Sequence, residues 1–366
     1  MVGRPRTDRL HGRGTIRTGP QPTFQLRGRP PPSMEGVTFA LVVVLVLAVA
    51  FDYINGFHDT ANAIATSVAT RALHPRHAIL MATAFNFIGA FAGTAVAKTI
   101  GAGLVDEATS TQTVVAAALV GAITWNLITW YLGLPSSSSH ALIGGLLGAT
   151  IVAAGTDALK VPGLVNKVLV PMVTSPLIGF VGAFLLMLLL YWVFRDAKRK
   201  PMARAFRRLQ VLSAGYMAFS HGSNDAQKTM GIITLALVAA GILPTVDVPF
   251  WVIVVSASAL SLGTAVGGWR IMHTMGHRVV ELEPVHGFAA ETTAATVLIA
   301  TAHFGMPVST THVISSAIMG VGSARGPKGV RWGVARRILL AWVITIPAAG
   351  TAAAVTWFIL HTIGFG

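Results

Sequence analysis

The chain has 366 residues, of which 53% are hydrophobic and only 11% charged, with no cysteine and a formal net charge of +14. Soluble domains carry about a quarter charged residues, so a chain this poor in charge cannot cover a water-facing surface. The absence of cysteine excludes disulfides and thiolate metal sites. The positive charge lies outside the apolar runs, which argues for loops on one side of a membrane and against a nucleic-acid-binding face.

Residues 1–35 contain Arg4, Arg6, Arg9, Arg13, Arg17, Arg27, Arg29 and the run Pro30–Pro31–Pro32, and read as a disordered basic tail. Met34 stands just before the first apolar run at Val37 and reads as an alternative start. Ten apolar segments follow, at 36–70, 77–98, 111–132, 135–156, 169–194, 211–241, 249–269, 287–303, 307–324 and 338–362. Crossing a bilayer as helix takes about 20 residues, so the first and sixth segments are expected to be broken. The fold class implied is an all-α integral membrane protein with about ten spans.

Loop charge orients them. The intervals 71–77, 195–210, 270–286 and 325–337 hold the basic residues, whereas the opposite loops hold Lys98, Lys160 and Lys167 among Asp106, Glu107, Asp157 and Asp247. The positive-inside rule then places both termini outside a cell membrane, with 195–210 as a cytoplasmic basic loop.

That loop divides two related halves, 36–194 and 211–366. Asn55-Gly-Phe-His-Asp-Thr-Ala-Asn62 aligns with His221-Gly-Ser-Asn-Asp-Ala-Gln-Lys228, placing Gly56 on Gly222, Asp59 on Asp225 and Asn62 on Lys228. Downstream, Pro135-Ser-Ser-Ser-Ser-His140 aligns with Pro307-Val-Ser-Thr-Thr-His312. Five spans per half force the second copy to enter from the opposite side, as in the inverted-topology repeats of secondary transporters.

A carboxylate at bilayer depth costs roughly 2.5–3.5 kcal/mol and normally faces protein or a water-filled path. Gly56 and Gly222 are expected to break their helices, placing Asp59 and Asp225 at helix starts. Pro135 and Pro307 mark two further starts. Four sets of unpaired amides and a bank of hydroxyls would suit a tetrahedral oxyanion. Lys228 needs an anionic partner, either a ligand or Asp225 itself. His140 reads first as a structural hydrogen-bonding group, and Glu291 as a cation or proton site or as a structural cap.

These four motifs resemble the duplicated signature of the PiT family of inorganic phosphate transporters, from about residue 36 to the C-terminus. The resemblance implies a phosphate symporter with a transport core and a scaffold, a homodimer, and proton or sodium as coupling ion with no other cofactor. It implies phosphate ligands at Asn62, Ser137, Ser138, Ser139, Asn224, Lys228, Ser309, Thr310 and Thr311. It implies cation coupling at Asp59, Asp225 and Glu291, the two aspartates holding sodium if sodium is the ion. Gly56, His140, His221, Gly222 and His312 would support the site. Asn86 departs from animal members, which carry a glutamate there. Phosphate could travel as a metal complex. Sulfate carriage and, from another class, an intramembrane lipid phosphatase are the alternatives.

Overall fold

The computed structural model describes Gly3 and residues 34–365, with backbone alone for 34–38 and 199. The expectations for the basic tail lie outside the described residues, except that Met34 already begins a helix.

The first half comprises α1 (Met34–Ala69), α2 (Pro75–Gly89), α3 (Ala95–Ala102), α4 (Gln112–Leu132), α5 (Ser138–Ala154), the single turn α6 (Val161–Gly163) and α7 (Val170–Val193). The second comprises α8 (Arg199–Ala239), α9 (Phe250–Val266), α10 (Trp269–His273), α11 (Pro284–His303), α12 (Thr310–Ser323) and α13 (Trp332–Thr362).

The breaks differ from expectation. α1 and α8 run without interruption through Gly56 and Gly222. Both glycines instead allow close helix packing. A Cβ on Gly56 would lie 2.2 Å from the Leu260 carbonyl oxygen of α9, and one on Gly222 would lie 2.2 Å from the Asn86 carbonyl oxygen of α2. The broken helices are the second of each half. α2 and its 3-10 extension bend by 71° into α3, and α9 bends by 61° into α10 and the following turn. The second break passes through Gly267, whose φ of +79° a side chain would strain.

Among the described residues, four helical stretches are long and apolar enough to cross a membrane, or six when each bent pair counts as one. The remaining segments of the expected ten fall short for two reasons. α8 and α11 carry buried polar groups, including Asp225, Lys228 and Glu291. α5 and α12 begin inside the protein and have only 17 and 14 residues. At 1.5 Å per residue, α12 reaches about 21 Å of a core about 30 Å thick. The expected basic loop 195–210 is also mostly helical, because Met202 and the buried Phe206 and Gln210 recur at four-residue spacing and give the first turns of α8 an inward stripe.

The halves interlock. α1 packs on α9 as α8 packs on α2, and α5 packs on α13 as α12 packs on α7. The apolar interior forms two cores. Along α1 one core ends at Phe51 and the other begins at Ala61; along α8 the corresponding limits are Ala226 and Ala218. The polar motifs therefore occupy a layer between two apolar masses. Outward faces of α7 and α13 expose Val173, Leu177, Trp192, Val343 and Phe358, as lipid contact requires.

Candidate functional site

The site begins with two identical caps. After Pro135 the chain runs extended to Ser137, whose side chain caps α5 by accepting the His140 amide at 3.1 Å. After Pro307, Ser309 caps α12 and accepts the His312 amide at the same 3.1 Å. Ser136–Ser139 and Ser309–Thr311 are all buried. Two of the four expected helix starts are thus present, with first-turn amides and the positive end of the dipole directed at the polar layer. The other two are absent: Asp59, Asn62, Asp225 and Lys228 project from the middles of continuous helices, and their amides are already used.

The motifs meet across the halves. Asn62 donates to Thr311 at 2.9 Å and to Thr310 at 3.3 Å. Lys228 donates to Ser139 at 2.5 Å. Asn62 and Lys228 are repeat equivalents, as are Thr311 and Ser139, so one contact is made twice, each time between the first helix of one half and the half-helix of the other. Lys228 also pairs with Asp225 at 2.5 Å, so its anionic partner is Asp225 and its second partner is the hydroxyl bank. Thr310 lies 3.4 Å from Asp225 and Ser139 donates to the Val308 carbonyl. Asn224 is buried with both amide atoms unpartnered, although such atoms in native interiors nearly always find a partner. Ser138 lies 3.5 Å from His58.

Ligand atoms of Asp59, His221 and Asp225 lie within 4.8 Å of one another, all buried. A chain of donors fixes the imidazole. Thr264 gives its hydroxyl proton to the Leu260 carbonyl and accepts from the Asn86 amide at 2.9 Å. The Asn86 oxygen therefore faces His221 Nδ1 at 3.0 Å and takes its proton. His221 Nε2 is left as a lone pair, 3.4 Å from Asp225 Oδ2. Two carboxylates and a lone pair converge with no proton donor between His221 and Asp225, an arrangement that calls for a cation. These residues fit a cation, the carboxylates by charge and the imidazole by its lone pair.

A model described as the phosphate transporter family matches residues 55–353. The chain belongs to that family. A probable low-affinity inorganic phosphate transporter of Bacillus subtilis (strain 168) is 47% identical over 333 residues, covering 90% of this chain and 100% of its own. One from Rhizobium meliloti (strain 1021), of the same description, is 50% identical over 322 residues, covering 87% and 96%. A solved structure described as the sodium-dependent phosphate transporter superposes with a TM-score of 0.82 at 26% identity, over 89% of this chain and 100% of its own. Family and relatives are transporters, so the lipid-phosphatase alternative falls away.

In this member of the phosphate transporter family, Glu291 stands apart from the cage. Its carboxylate accepts from Thr66, Ser213 and Gln210, and Gln210 in turn accepts from Thr70. His140 and His312 meet edge to face with ring centroids 4.6 Å apart, and His312 stacks on Trp342 at 3.9 Å. They brace the two caps. Three contributors escaped the sequence reading as site residues. His58 lies 2.6 Å from Asp59 and 3.1 Å from Thr129. Asn86 orients His221, and Thr264 orients Asn86. The motif wording contains His58, but its partner Thr129 is on another helix; Asn86 shows in the sequence only as a departure from animal members, and Thr264 carries no local signal.

Proposed function

We propose that the chain is a secondary active importer that carries inorganic phosphate through the cell membrane together with protons or sodium. The observation that supports this most is the duplicated contact, Asn62 to Thr311 and Lys228 to Ser139, between two oppositely placed half-helix caps. A site built from equal contributions of two halves can open to either side by a change in one set of contacts, as alternating access requires.

Charge supports the cation. Asp59 and Asp225 bring two negative charges to the layer and Lys228 one positive charge, so a phosphate anion enters a site that is already net negative. Each negative charge carried toward a negative interior also costs about 2.3 kcal/mol per 100 mV. Cations at the Asp59–His221–Asp225 cluster would offset both. Phosphate arriving as a metal complex would bring its own positive charge.

The salt bridges group the loops on two faces, and loop charge is what assigns one of them to the outside in an N-out, C-out orientation. Lys98 pairs with Asp247 at 2.8 Å and Lys160 with Glu107 at 3.3 Å, all on the side read as outside. Arg325 pairs with Glu283 and Arg331 with Glu281 on the side read as inside. A homodimer is part of the proposal.

Purified protein in liposomes, given labelled phosphate under a pH gradient or a sodium gradient imposed separately, tests the reading. Accumulation under one gradient and not in its absence is expected. Strong inhibition by excess sulfate would transfer the assignment to sulfate, and no accumulation under either gradient would refute it.

A further inference from the structure

Four carboxylates are buried among the described residues: Asp52, Asp59, Asp225 and Glu291. Three have donors. Asp59 has His58, Asp225 has Lys228 and Thr310, and Glu291 has Thr66, Gln210 and Ser213. Asp52 has no ion-pair partner, and no donor closes on either of its buried oxygens within 3.5 Å. The polar groups beside it are neutral donors, Asn55, one turn on, and Thr229 of α8, which face it just outside full hydrogen-bond distance. Both Asn55 amide atoms and the Thr229 hydroxyl are themselves unpartnered.

An ionised carboxylate buried with no cation beside it is costly, and a proton or a metal ion relieves it more fully than two neutral donors can. Hard metal ions gather about six or more oxygens. Asp52 has one neighbouring amide and one neighbouring hydroxyl to offer beside itself. A proton needs a single oxygen.

The surroundings tie this group to phosphate. α8, packed on α1, carries Asp225 and Lys228 in the turn before Thr229, while its His221 belongs to the cation cluster. α4 and α9, both packed on α1, contain no Asp, Glu, His, Lys or Arg. On α1 itself His58 and Asp59 pair with each other. His140 of α5 and His312 of α12 pack together, and Glu291 of α11 has its own donors. On α10, Arg270 lies over Trp130 and His273 stacks on His277. Arg76 and His77 sit in the first turn of α2, remote in sequence from the Asn86 end that meets α8. The field at Asp52 is therefore set by Asp225 and Lys228. A phosphate that draws the Lys228 ammonium toward itself leaves Asp52 in a more negative surrounding and favours proton uptake. Linkage makes the converse hold: a protonated Asp52 favours phosphate.

We propose that Asp52 is a proton-carrying site, separate from the Asp59–His221–Asp225 cluster, and that its protonation accompanies phosphate across the membrane. One proton passes from outside water to a carboxylate oxygen of Asp52 and leaves to the inside after phosphate release; no electrons move. The inference rests on the importer reading above.

Asp52→Asn, an uncharged isostere, tests it in proteoliposomes. Phosphate exchange at equal pH on both sides should stay within about twofold of wild type. Accumulation driven by an acid-outside gradient should fall at least tenfold, and the pH dependence of phosphate affinity should flatten. Asp52→Glu should keep coupling and move the pH midpoint of uptake. Wild-type accumulation by pH gradient with Asp52→Asn matching it would overturn the inference while leaving the importer reading standing. Uptake driven by sodium alone would do the same. Loss of exchange together with accumulation in Asp52→Asn, or an unmoved midpoint in Asp52→Glu, would assign Asp52 a structural role. No wild-type accumulation under any gradient would sink the importer reading itself.

Discussion

Lys228 neutralises Asp225, and in the proposed importer it also offers a positive charge to phosphate, two roles that a single variant cannot separate. Both groups of the pair are at most 1% exposed and 2.5 Å apart. Replacing Lys228 with Met leaves Asp225 buried and uncompensated, a change that costs about 3–5 kcal/mol. Removing both charges, as Asp225→Asn with Lys228→Met, should recover most of that loss, because a neutral pair needs no solvation. Phosphate binding should not recover. An ammonium about 4 Å from an anion at an effective dielectric of about 20 contributes about 4 kcal/mol, on the order of a thousandfold in dissociation constant. Thermal unfolding of the detergent-purified single and double variants, with phosphate titrated calorimetrically into each, reads the two effects apart. Phosphate affinity within a few-fold of wild type in the double variant would show that Lys228 serves only as the partner of Asp225.

Three further outcomes are expected. Asp59→Asn and Asp225→Asn should each abolish labelled-phosphate uptake while surface expression and elution volume stay unchanged; full uptake by either would remove it from the coupling machinery. Gly56→Ala and Gly222→Ala, whose new Cβ atoms would fall 2.2 Å from backbone oxygens of α9 and α2, should destabilise the protein by about 1–3 kcal/mol each, seen as a lowered unfolding temperature. Ser137→Ala and Ser309→Ala remove equivalent caps and should cost similar amounts, about 1 kcal/mol each in unfolding measurements. Unequal losses would mean that the two caps do not do the same work.

The half-helix caps were legible because three signals coincide at each: a proline, a run of hydroxyl residues, and an apolar helix behind them. The meeting of the halves followed from the repeat and an odd number of spans. The state of α1 and α8 was not legible. A glycine before a buried acid is compatible with a broken helix and equally with a neighbouring backbone pressed against it, and the residues that decide, Leu260 and Asn86, lie on other helices. The same holds for the breaks at 93–94 and 267–268, which a continuous apolar run conceals. Glu291 was legible as a buried acid, but its hydroxyl and amide donors come from α1 and α8, so its separation from the cage was not. Asp52 is an acid in the first apolar run, but its lack of a charged partner is a property of packing alone.

The exchange of partners between halves carries a consequence for how such a chain can be assembled. α7 belongs to the first half yet its face is covered by α12 of the second, and α13 serves α5 in return. Cut between residues 194 and 199, each fragment would bare a strip of small residues, and each half-helix would lose its supporting helix. Each fragment would keep its inner contacts, such as α4 on α5 and α11 on α12, but its half-helix would stay uncovered until a second fragment met it, so duplication within one gene fixes in a single chain what separate copies would have to achieve by chance encounter in the bilayer.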